Sequence, residues 1–137
     1  MKTIALVLTI LAAGCSTTPE HPFGTERSGA DQLAVVSVAG SEVKILEADG
    51  KPFPGSGTSD FYLPPGAHRF LVGLNWCPGG QCITFGAFAE KPRVACIDAK
   101  AGARYRVSAG SPGPDWLPRV TEQASGADAK QIDSRCS

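Results

Sequence analysis

An all-β fold, a small antiparallel sandwich or partly open barrel of about six to eight short strands, is what this 137-residue sequence predicts. Short β-branched runs recur roughly every ten residues, which is the spacing of strands in sandwiches and barrels. Turn formers separate them, and the chain carries 16 glycines and 11 prolines, more punctuation than long helices tolerate. No long stretch repeats its apolar residues at the helical period of 3.6.

The elements follow in order. Residues 33–40, LAVVSVAG, and 42–48, EVKILEA, are β-branched runs bounded by Gly and Asp-Gly, and both read as strands. Asp49-Gly50-Lys51-Pro52 turns the chain, because Gly takes positive φ and Pro52 halts pairing. Pro64-Pro65-Gly66 turns it again, after which Phe70, Val72, Leu74 and Trp76 share one face of a strand. Pro78-Gly79-Gly80-Gln81 is a further turn. Residues 83–89, 93–99 and 103–109 continue the series, separated by Glu90-Lys91-Pro92 and Lys100-Ala101-Gly102. A last strand is expected at 115–120, DWLPRV, where Pro118 weakens pairing. The domain thus spans 31–122. Residues 123–137 are polar and read as a tail, or a frayed helix, that a disulfide can clip.

The start of the chain has a different character. Lys2 precedes an apolar run from Thr3 to Ala13, too short for the ~20 residues that a membrane-crossing helix needs but suited to a signal peptide. Leu11-Ala12-Ala13-Gly14-Cys15 resembles the lipobox of bacterial lipoproteins, with Ala12 at a position where that family most often has Leu. The resemblance implies that residues 1–14 are a lipoprotein signal peptide, that cleavage falls before Cys15, and that Cys15 carries the lipid. Ser16, rather than Asp, follows it, and in that family this implies sorting to the outer membrane with the domain in the periplasm. Residues 15–30 are polar, contain Pro and Gly, and read as a flexible lipidated tether. A fifteen-residue coil spans about 20 Å on average.

Removing 14 of 137 residues leaves 123, one domain's worth. The 13 basic and 13 acidic residues become 12 and 13 once Lys2 is gone, a net charge of −1. Without a basic stripe, the electrostatic footprint of a nucleic-acid binder is missing. Apart from Cys15, the cysteines are Cys77, Cys82, Cys96 and Cys136. An even number in an exported chain reads as two disulfides with three connectivities open. If Cys77 pairs with Cys82, Cys96 takes Cys136. The four-residue gap between Cys77 and Cys82, with His21 and His68 far away in sequence, does not match a zinc set, and no metal or cofactor is expected.

A second resemblance lies in FYLPPGAHRFLVGL and AGARYRVSAG. Leu63 to Leu74 and Ala101 to Val107 are similar to a recurring type of small bacterial lipoprotein with Leu-Pro-Pro-Gly and Ala-Gly-x-x-Tyr-x-Val motifs. It implies a β-sandwich and carries no catalytic residues. His68 would serve as a general base only with a partner, Asp60 or Asp98, and a nucleophile. No nucleophile elbow accompanies it, so it reads as a strand-edge residue. Trp76, Tyr105 and Trp116 are the candidate binding aromatics. Trp76 sits beside the Cys77–Cys82 loop, and Arg104, Tyr105, Arg106 and Trp116 offer cation–π chemistry. Alternating Arg and Tyr also describes a strand with one wet and one buried face. The functional expectation is a lipid-anchored, non-enzymatic interaction or structural module with an envelope protein partner. The alternative is a binder of lipid or glycan whose pocket is lined by Phe85, Phe88, Tyr105 or Trp116. A hydrolase around His68 ranks behind both.

Overall fold

The computed structural model describes residues 18–39, 43–74, 91–110 and 115–136. The signal peptide expected at 1–14, Cys15, Trp76, Cys77, Cys82, Phe85, Phe88 and the strand expected at 83–89 lie outside them.

Nine strands fall into two sheets among these residues: β1 Ala34–Val38, β2 Val43–Ala48, β3 Lys51–Pro52, β4 Phe61–Leu63, β5 Gly66–Leu74, β6 Arg93–Ala99, β7 Arg104–Ser108, β8 Arg119–Gln123 and β9 Lys130–Ile132. One sheet has the order β4-β1-β7-β8-β9 and the other β3-β2-β5-β6. They do not close into a barrel. Their facing sides build one core. Val36, Phe61, Tyr105, Val107 and Val120 come from the first sheet, and Ile45, Phe70, Val72, Leu74 and Ile97 from the second. The expected alternation holds at Phe70, Val72 and Leu74, all buried, because a pleated strand turns every second side chain inward. It holds as well in β7, where Arg104 and Arg106 are exposed while Tyr105 and Val107 are buried.

Four details differ from the sequence reading. The β1–β7 pair is parallel, Val35 lying opposite Arg104 and Val38 opposite Val107, within an otherwise antiparallel set of ladders. Pro52 does not halt pairing: it sits opposite Glu47 in the two-residue β3, an edge position where its missing N–H costs nothing. The eighth strand starts after Pro118, not at Asp115, and runs on to Gln123. The polar tail is neither loose nor helical. Its residues Lys130–Ile132 pair with β8 as β9, and Cys96 is bonded to Cys136 with 5.2 Å between their Cα atoms.

The expected tether is the largest departure. The Glu20 N–H donates to the Asp60 carbonyl at 2.8 Å, and the Tyr62 N–H donates to the Glu20 carbonyl at 2.8 Å. Glu20 thereby forms a parallel bridge with Phe61 on the outer edge of β4. The His21 ring stacks on Tyr62 with centroids 4.5 Å apart. Phe23 meets Phe53, Phe61 and His68. An open strand edge leaves N–H and C=O groups unpaired, and a few residues of the N-terminal segment fill part of it here.

Two straps therefore close the flanks of the sandwich. At one flank, residues 20–23 run along β4 while a Glu20 carboxylate oxygen accepts the Ser56 N–H, 3.1 Å away, in the segment following β3. At the other, the chain leaves β9 and crosses to β6, where the Cys96 N–H donates to the Ser134 carbonyl at 2.8 Å beside the disulfide. Gly57 makes the first flank possible. Its φ is +75°, its carbonyl accepts the Ile45 N–H at 2.8 Å, and a Cβ at this position would collide with the Ile45 carbonyl oxygen. Only glycine combines that conformation with so close an approach.

Candidate functional site

The polar residues with the most chemical potential meet where the Asp49 turn, β5, β6 and the C-terminal strap converge. Asp49 and Gly50 link β2 to β3 with φ values of 52° and 78°, the paired left-handed residues of a type I′ hairpin turn, for which Asp-Gly is a preferred pair. This conformation aims the Asp49 carboxylate across at β5. One oxygen accepts the Arg69 N–H at 2.8 Å, and the other lies 2.8 Å from His68 Nδ1. The opposite ring nitrogen, Nε2, is 2.8 Å from the Pro64 carbonyl. A shallow cavity of about 470 Å³ adjoins them, lined in part by Asp98, Asp133 and Arg135.

The partner of His68 is thus Asp49, not Asp60 or Asp98. Asp49 is nineteen residues away in sequence and arrives through the hairpin. Carbonyl and carboxylate oxygens only accept hydrogen bonds. Both ring nitrogens thus face acceptors of the fold itself, Asp49 Oδ2 and the Pro64 carbonyl, and the geometry suits a clasp between turn and strand.

Partial burial raises the pKa of the Asp49 carboxyl. The Arg69 N–H and the His68 ring together outweigh it and hold the pKa below its ordinary value of 3.8. A carboxylate with a depressed folded-state pKa adds stability above its unfolded pKa and loses it as the pH falls through the folded one. Because the carboxylate is about half exposed, its contribution is small, under about 1 kcal/mol. Asp49→Asn keeps a residue that tolerates the left-handed turn. Thermal melts are expected to show the variant slightly less stable at pH 7 and the gap closing below about pH 4, near the ordinary Asp pKa. A gap unchanged down to pH 2 would contradict this account of the clasp. In the C-terminal strap, Arg135 holds Asp133 through its Nε and Nη2 at 2.9 and 2.8 Å and lowers the Asp133 pKa to about 2.

Tyr105 and Trp116, two of the candidate binding aromatics, are buried in the core. Tyr105 is 1% exposed, and its hydroxyl donates to the Asp98 carbonyl and accepts the Lys100 N–H, each at 3.1 Å. Burial raises its phenol pKa, opposed by the Lys100 hydrogen bond. These bonds run from β7 in one sheet to β6 and its following turn in the other. Beside them Lys100 Nζ reaches the buried Glu122 of β8 at 3.3 Å. The polar end of Tyr105 is therefore spent on joining the sheets, as buried tyrosine hydroxyls usually find partners. Trp116 is 2% exposed, and its Nε1–H donates to the Lys91 carbonyl at 3.0 Å. An open groove of about 680 Å³ runs past it, between Leu117, Arg119, Ile132 and Arg135.

Among the described residues, no group of three or more His, Cys, Asp or Glu is placed to hold a metal ion, and no helix is long and apolar enough to cross a membrane. No family model, curated protein or solved structure matches this chain.

Proposed function

We propose that this chain is a lipid-anchored cell-envelope protein, tethered through Cys15 to the outer membrane with its domain in the periplasm, and that it works as a non-enzymatic interaction or structural module. The observation that supports the reading is the commitment of His68, Tyr105 and Trp116, the candidate reactive and aromatic side chains among the described residues, to the fold. His68 clasps the Asp49 turn, and Tyr105 and Trp116 bond backbone carbonyls across the core. What such a scaffold offers a partner is its outer surface and its loops, the usual place for recognition on a rigid sandwich.

Cross-linking in intact membranes followed by purification tests this. A specific envelope protein is expected with the wild type and is lost with Cys15→Ser, which frees the domain from the bilayer. Recovery of the same background proteins from both would contradict a module that works at the membrane.

A further inference from the structure

We propose that one end of the sandwich, the end bearing Leu117, faces the phospholipid headgroups. The proposal rests on the lipid-anchor reading and adds an orientation to it. The bridge between Glu20 and Phe61 is parallel, so the chain before Glu20 leaves toward the end at which β4 begins. That end is fixed by register. β4 runs antiparallel to β1, with Phe61 opposite Val36 and Leu63 opposite Ala34. It therefore starts at the end where β1 finishes. β7 runs parallel to β1 and finishes there too, and β8 begins there, since Ser108 lies opposite Arg119. Leu117, two residues before Arg119, stands at that end.

Leu117 is 63% exposed, and it is the exposed large hydrophobic side chain of the described residues. Arg119 and Lys91 are exposed at the same end, with one carboxylate, Asp115, beside them, and the bond from Trp116 Nε1 to the Lys91 carbonyl fixes Lys91 there. An apolar side chain with cations beside it suits the boundary between headgroups and acyl chains.

The leash sets the distance. Fifteen free residues would let the domain stray ~50 Å at full extension, but docking at Glu20 leaves five residues to Cys15, a reach of about 18 Å at most. A domain held that closely, by a chain leaving from one end, presents that end to the bilayer. The opposite end, with the Ala124–Ala127 turn, is directed away.

A benzophenone amino acid placed at Leu117 or, separately, at Ala127 tests the orientation in the full-length lipidated protein, in vesicles of phosphatidylethanolamine and phosphatidylglycerol. Both sites are exposed, where substitutions usually cost little stability, and circular dichroism of each labelled protein is expected to match the wild type. Cross-links to phospholipid are expected to be several-fold more abundant from Leu117. Phe23→Ala, which loosens the docked segment, is expected to shrink that difference. Equal or greater labelling from Ala127 in a chain whose mass shows lipid on Cys15 overturns the orientation alone. A chain without lipid at Cys15 overturns the anchor and the orientation together.

Discussion

Phe61→Ala is expected to lower stability by about 3–5 kcal/mol, the range for removing a buried aromatic ring. Phe61 is fully buried, and its ring meets Phe23, Phe53 and Phe70 with centroids 6.2, 4.9 and 6.0 Å away. Those neighbours belong to the N-terminal strap, the segment after β3, and β5. The ring therefore pins one flank of the sandwich as well as filling the core. Aromatic pairs add about 0.5–1.5 kcal/mol beyond the area they bury, which places the effect toward the upper end. Against a total stability of about 5–15 kcal/mol, such a loss takes a large share. Denaturant melts measure the loss, and hydrogen exchange is expected to show residues 20–24 opening with it. A loss under about 1 kcal/mol, the scale of surface substitutions, would mean that the ring cluster does not organise this flank.

Cys136→Ser is the second large effect. The bond closes a loop between residues 40 apart, and loop-closure entropy assigns such a crosslink about 4 kcal/mol, within the 2–5 found on removing native bridges. The strap depends on it unusually heavily. β9 has three residues, and beyond them the Ser134 carbonyl bonds to Cys96, while Arg135 and Asp133 bond each other. Without the bond, a three-residue edge ladder is left with the packing of Ile132 against the core, and isolated short pairings are marginal in water. Hydrogen exchange at 130–135 is expected to accelerate far more than the core does, with a lower melting temperature. Unchanged exchange there would show that pairing with β8 suffices.

Strands whose side chains alternate, such as Phe70, Val72 and Leu74 or Arg104 through Val107, were legible in the sequence because the signal is local and strong. The straps were not. Glu20 to Phe23 has no period and contains Pro22, and its docking depends on rings contributed by Phe53, Phe61 and His68 from distant segments. β9 is a strand because an edge and a disulfide lie in reach, not because Lys-Gln-Ile prefers one. Pro118 marked the weak point of the last expected strand, yet its position alone did not say that pairing would start on its far side. For Tyr105 and Trp116 the sequence favours the buried reading over a binding surface, since alternating Arg and Tyr marks a strand with one wet and one buried face. Their polar partners, the Asp98 and Lys91 carbonyls, could be found only once the two sheets had been brought together. The Asp49 partner of His68 needed the hairpin for the same reason.

The central claim is that a short acylated leash holds this sandwich against a bilayer. Intact mass measurement of protein extracted from membranes tests it most directly. The account predicts a mature chain that starts at Cys15, lacks residues 1–14 and carries added mass equal to a diacylglyceryl group and an amide-linked acyl chain. A chain that retains residues 1–14, starts elsewhere, or has an unmodified thiol at Cys15 would contradict it.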